Sequence, residues 1–172
     1  MKPPYRVAIM SNAAYSVIHF RLPLIEELVR QGCAVDVLAP TFSNAVLEHI
    51  PKEEFTQLLF ELKRILKKDG ICSHRVDLKD HLGGGLNNLR FSSSVWEGSL
   101  FRRSGFYTNR IRYGQMLLMF DQAGFSWKVT RKDTWEKLPI VRSSLNVEFQ
   151  SIPDDDLLVS GFDVVLRHKV NE

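Results

Sequence analysis

Three side chains able to move or hold a proton stand close together beyond the strand-like run Ile71 to Val76: Asp77, Asp80 and His81. Imidazole titrates near neutral pH, so His81 could serve as a general base, with Asp77 or Asp80 orienting its ring. The same aspartates could instead bond backbone N–H groups and hold a turn. Further on, Arg102, Arg103, Arg110 and Arg112 fall among Phe101, Phe106, Tyr107 and Tyr113, with no acid between Glu97 and Asp121. Arg102, Arg103 and Arg110 are the candidates for holding an anionic group, such as a sugar nucleotide or a phosphorylated glycan precursor. A solvated lid over buried aromatics would have the same composition. No RNA-binding motif accompanies the patch, which argues against nucleic acid. His19 and Arg21 could meet an anion at a helix start, although a structural role suits them better.

These groups need elements to position them. Val7 to Met10 reads as a short buried strand, Phe20 to Gln31 as a helix with Gly32 at its C-terminal cap, and Val35 to Leu38 as a second strand. A strand returning parallel after a helix is the crossover unit of α/β folds. The next helix has Pro51 in its first turn, Glu53 and Glu54 at its positive end and Lys67 and Lys68 at the other. Phe55, Leu58, Leu59, Leu62, Ile65 and Leu66 form its apolar stripe. Ile71 to Val76 is the following strand. From Asp77 to Asn109 the chain reads as a long connection, a binding loop or lid, or a stretch containing short helices. A helix over Arg110 to Ala123, a strand over Phe125 to Thr130 and a last, antiparallel strand around Phe162 to Leu166 complete the order. The expectation is a single α/β domain over residues 1–172, a Rossmann-like open sheet, mostly parallel with an antiparallel C-terminal strand.

The 172 residues, 44% hydrophobic and 25% charged, fit one soluble globular domain. A net charge of +3 permits an anionic partner without requiring one. No apolar run approaches the roughly 20 residues of a spanning helix. Val7 to Met10 is too short for a signal-peptide core, so a cytoplasmic location is expected. Cys33 and Cys72 read as two buried, reduced thiols.

Two resemblances enter here, and they do not overlap. Val7-Ala8-Ile9-Met10-Ser11-Asn12, Ser16 to Arg21, Leu22-Pro23-Leu24 and the stretch Gly32 to Pro40 resemble the N-terminus of a bacterial GT-B glycosyltransferase, over about residues 6–40. From about Thr41 to Lys169 the chain is similar instead to the C-terminal part of class I S-adenosylmethionine-dependent methyltransferases. Ser43 to Pro51 resembles the segment after their fourth strand, and Leu62 to Gly70 the run before their fifth. Ile71 to His81 resembles that fifth strand with its outgoing loop, and Gln122-Ala123-Gly124-Phe125 the turn before the sixth.

The methyltransferase resemblance implies methyl transfer from S-adenosylmethionine to a small or glycan-related acceptor, with Asn44 and His49 near the methyl donor. It also implies a glycine-rich cofactor turn after the first strand and an acid ending the second, which binds the ribose hydroxyls. This chain has Ser11-Asn12-Ala13-Ala14-Tyr15 and Ala39-Pro40 at those places, and Gly83-Gly84-Gly85 follows the wrong strand. Weak or lost cofactor binding is therefore expected. A non-catalytic remnant or partner-binding module, and a glycosyltransferase-related protein of a polysaccharide locus, are the rival expectations. The possible protein partners are a second copy of the chain or a complementing methyltransferase.

Overall fold

The computed structural model describes residues 6–10, 22–38 and 42–169. The chain falls into two compact units, Met1–Ser43 and Asn44–Glu172. Their boundary lies close to the point where the two resemblances meet. The first unit carries strand β1 (Arg6–Met10), helix α1 (Leu22–Arg30) and strand β2 (Ala34–Leu38). The two strands pair in parallel, Arg6 opposite Ala34 and Met10 opposite Leu38. Gly32, at φ +80°, ends the helix in the left-handed conformation that glycine adopts without strain. The loop Ser11 to Arg21, with His19, and the residues 39–41 lie outside the described residues.

A four-stranded sheet has the order β3-β4-β6-β5: Phe42–Asn44, which spans the unit boundary, then Ile71–Asp77, Val159–His168 and Phe125–Thr134, all three in the second unit. The last strand runs between β4 and β5 and is antiparallel to both, with Asp77 and Asp133 each facing Gly161. The fold is thus α/β, with a two-stranded parallel sheet in the first unit and, separately, an open four-stranded sheet whose C-terminal strand is antiparallel to both its neighbours. Strand β6 buries Phe162, Val164 and Leu166 at the period of two that a pleated strand requires. A Cβ on Gly161 would stand 2.9 Å from the Val76 carbonyl oxygen, so glycine lets β4 and β6 approach. Strand β5 is a sheet edge, where Lys128, Arg131 and Lys132 discourage further pairing.

Helix α2 (Lys52–Ile65) follows Pro51, as the composition of its ends predicts. Phe55, Leu58, Leu59, Leu62 and Leu66 are buried, but Ile65 is 40% exposed. Ile65 belongs to the apolar periodicity yet falls at the stripe's edge in the last turn, where the core no longer covers it. Helix α5 spans Tyr113–Gln122 and starts later than expected, because Arg110 at φ +58° is left-handed and cannot begin a right-handed helix. The connection before it is a packed layer rather than a lid. It holds a 3₁₀ turn at Asn87–Arg90 and the short helices α3 (Ser93–Trp96) and α4 (Ser99–Arg102). Trp96 is fully buried and stacks on Phe91, Phe101 and Tyr107. Leu86 and Leu89 join Ile140, Leu145 and Leu157 in a separate apolar cluster, against which Trp135 packs. Helix α6 (Asp154–Leu157) then leads into β6. Trp127, by contrast, is 42% exposed on the edge strand. Cys72 is buried and Cys33 half-buried, and neither forms a disulfide among the described residues.

Candidate functional site

Strand β4 delivers Asp77, Asp80 and His81 to one edge of the sheet, the edge at which open α/β sheets take ligands. The aspartates are committed to the backbone there. Asp77 accepts the Lys79 N–H at 3.0 Å and pairs with the Lys79 ammonium at 3.5 Å. Asp80 is almost fully buried. One of its oxygens accepts the Leu82 N–H at 2.8 Å, the other accepts from Asn87, and its own N–H donates to the Gly85 carbonyl. Gly83 and Gly84, both at positive φ, let the 80–87 loop close around that carboxylate. A buried carboxylate is tolerable because backbone donors surround it.

His81 turns elsewhere. Its Nδ1 lies 3.3 Å from the Gly105 carbonyl oxygen, and its ring centre is 5.0 Å from that of His49. Neither Asp77 nor Asp80 is among its hydrogen-bond or ion-pair partners among the described residues, so the expected acid–imidazole pair is not assembled. His49, at the end of the 3₁₀ turn Leu47–His49, is held by the Tyr107 carbonyl at 3.0 Å from Nδ1. Asn44 is exposed at the end of β3.

The three arginines proposed to hold an anion do not form one patch. Arg102 pairs with Glu53 and, at 3.6 Å, with Glu54 in the first turn of α2. Arg103 is exposed at the end of α4. Arg110 is buried, donates to the Phe91 carbonyl at 2.7 Å and to Ser93 Oγ at 3.1 Å, and lies over the rings of Trp96 and Phe149. Desolvation lowers its pKa, partly offset by Glu97 and Glu148. It stays charged at neutral pH and acts as a bolt through the connection.

Two charged residues were not singled out from the sequence as buried. Arg112 donates to the carbonyls of Leu78 (2.9 Å), Leu157 (3.1 Å) and Val159 (2.6 Å), tying the exit of β4 to the entry of β6. Burial lowers its pKa to about 10, which leaves it cationic at neutrality. Glu48 is 2% exposed, and its carboxylate oxygens make no hydrogen bond of good geometry among the described residues. Burial raises its pKa to about 7, although the backbone N–H groups of Glu48 and Asp77 oppose the rise. The sequence hinted at this only through an acid flanked by Leu47 and His49 ahead of an apolar helix.

Glu48, Asp77, Asn88, Arg110 and Arg112 line a cavity of ≈ 10 Å³, about the room one water needs and far too little for an acceptor. A larger cleft of ≈ 280 Å³ opens on the other side of Arg110, between Lys52, Glu97, Gln115, Glu148 and Phe149. That volume approaches the lower bound of small-molecule sites. Among the described residues no group of three or more His, Cys, Asp or Glu side chains could hold a metal. No helix of the described residues is long and apolar enough to cross a membrane.

The described residues hold only part of the places where S-adenosylmethionine would bind. Strand β2, Ala34–Leu38, carries its only acid, Asp36, in mid-strand rather than at the end where a ribose would lie. The turn that would cradle the rest of the cofactor falls on Ser11 to Tyr15, outside the described residues.

No family model and no curated protein matches the chain. Among solved structures it is similar to a Haloferax volcanii protein assigned as a methyltransferase, in complex with the Trm112 methyltransferase activator. The identity is 12% and the TM-score 0.38, over 100% of this chain and 85% of that one. The [4+2]-cyclase SpnF gives 12% and 0.40, over 97% of this chain and 67% of its own. A Haemonchus contortus phosphoethanolamine N-methyltransferase, bound to S-adenosylhomocysteine, gives 13% and 0.39 over 99% and 50%. With every TM-score below 0.5, the functional reading rests on the chain's own residues.

Proposed function

We propose that the chain is of class I methyltransferase lineage, its chemistry the transfer of a methyl group from S-adenosylmethionine to a small or glycan-related acceptor, with a weakened hold on that cofactor. The supporting observation is order. Ser43 to Pro51 leaves a strand, Leu62 to Gly70 ends a helix and enters β4, Gln122 to Phe125 turns from α5 into β5, and the last strand is antiparallel. Each motif of the resemblance thus lies on the type of element that the resemblance assigns to it. His81, tethered through Nδ1 and presenting Nε2, is the candidate base for the acceptor's proton, and the Lys52–Glu97–Phe149 cleft is the candidate acceptor pocket. Positioning and proton removal are most of what methyl transfer asks of a protein.

A second reading, a non-catalytic partner-binding module, is favoured by the glycine-free first turn and by Arg102 and Arg110 being committed to internal contacts. The glycosyltransferase-related alternative rests on the N-terminal piece alone. A complementing methyltransferase is the partner the second reading calls for, and it would co-purify with the chain.

Isothermal titration with S-adenosylmethionine separates the readings. Millimolar affinity is expected. Undetectable binding would leave the partner module as the better account, and micromolar affinity would overturn the weakened cofactor side.

A further inference from the structure

We infer that His49 and His81 form a binding site for one divalent transition-metal ion, each coordinating through Nε2. The ring centres stand 5.0 Å apart at an interplanar angle of 59°. Each Nδ1 meets a backbone carbonyl, Tyr107 for His49 at 3.0 Å and Gly105 for His81 at 3.3 Å. A carbonyl only accepts, so each neutral ring carries its proton on Nδ1 and keeps the Nε2 lone pair. Tethering of the second nitrogen to a carbonyl is what fixes the tautomer and the orientation of metal-bound imidazoles.

Direction follows from the same two contacts. Gly105 and Tyr107 are two residues apart in one segment, so both Nδ1 edges face that segment and both Nε2 edges turn away from it. Neither Nε2 has a hydrogen-bond partner among the described residues. Two imidazoles bound through Nε2 to one tetrahedral ion, each nitrogen ~2.0–2.1 Å from the metal, have ring centres roughly 5 Å apart. The observed ring-centre separation agrees with that value.

Imidazole nitrogen selects Zn²⁺, Ni²⁺ or Cu²⁺ over the hard cations Mg²⁺ and Ca²⁺. No third protein ligand joins the pair among the described residues, so the ion keeps open positions for water or for an oxygen of an acceptor. Such an ion could polarise that oxygen or lower the pKa of its proton. An ion there takes the His81 Nε2 lone pair, so His81 serves as the base only in the metal-free protein; the site itself stands whether or not the chain binds S-adenosylmethionine.

The test uses the full chain without a histidine tag. Titration with Zn²⁺ should show one equivalent bound with micromolar affinity, weakened roughly tenfold or more in His49→Ala and in His81→Ala, and unchanged in His168→Ala, whose ring bonds the Leu66 carbonyl instead. Far-UV circular dichroism checks that each variant folds. Should a variant misfold, Cu²⁺ electron paramagnetic resonance on the unmodified protein decides, with two imidazole nitrogens expected on the ion. Absence of Zn²⁺ binding, unchanged affinity in either site variant, or fewer than two coordinating nitrogens would overturn the inference.

Discussion

Helix α2 and the connection from Leu78 to Arg112 both carry fully buried residues, but they are held in place by different forces. The buried face of α2 is Phe55, Leu58, Leu59 and Leu62, apolar throughout. The connection buries Asp80, Asn88, Thr108, Asn109, Arg110 and Arg112 beside Trp96 and Tyr107. Asp80, Asn109, Arg110 and Arg112 bond particular backbone atoms, often far along the chain, and the Asn88 amide donates to Thr108 Oγ1. Asn109 Nδ2 donates to the carbonyls of Leu47 and Ile50, each at 2.8 Å, and the Trp96 indole donates to the Thr108 carbonyl at 2.7 Å. A helix docked by area tolerates small shifts, whereas a loop pinned by directional bonds is specified atom by atom. The lesson is that a segment low in periodicity can be as firmly built as a helix.

The sharpest way to break the contrast is to remove the central pin. Arg112→Met keeps the length and apolar stem but orphans three buried carbonyls, at ~1–3 kcal/mol each before relief from burying a charge. A loss of roughly 3–5 kcal/mol is expected in urea unfolding, and a midpoint shift near zero would mean that the connection does not depend on its polar bolts. Leu62→Ala should cost α2 roughly 2–5 kcal/mol through lost burial and a cavity. An unchanged denaturant midpoint there would show the helix to be packed otherwise.

A third measurement uses pH. Burial holds the His74 imidazole at about 4, below its ordinary 6.5, so the folded protein keeps it neutral. As pH falls through 6.5 the unfolded chain takes up the proton first, and stability drops until about pH 4. Relative to His74→Leu, the wild type should lose about 3 kcal/mol between pH 7 and pH 4. Glu48 has the opposite sign, but it is present in both proteins and cancels in the difference. Parallel stability curves for the two proteins would refute a buried neutral His74. The smallest effect belongs to Ile65→Ala, where partial exposure predicts a change within roughly 0.5 kcal/mol. A cost equal to that of Leu62→Ala would return Ile65 to the core stripe.

Much of the framework could be read locally. Strands β1, β2 and β4, the body of α2 and the glycine after α5 follow from short-range pattern, because side-chain period and turn chemistry are properties of neighbouring residues. The chain order of the motifs was equally legible, and so was the antiparallel last strand. The site was legible only as a set of residue types. Asp77, Asp80 and His81 are adjacent in sequence and share the β4 edge, yet adjacency does not say which way a ring turns.

Tertiary structure made those choices. It spent the Asp80 carboxylate on the N–H groups of Leu82 and Asn87, since a buried anion needs donors close at hand. It set Arg110 in the left-handed region, delaying α5, and drew its guanidinium between two aromatic rings that lie far apart in sequence. It brought His49 and His81, 32 positions apart in the numbering, to ring contact through two carbonyls of one distant segment. Sequence determines which groups are available and the period on which they repeat. Which polar group meets which carbonyl depends on long-range closure of the chain, where hydrogen-bond direction rather than residue type decides the outcome.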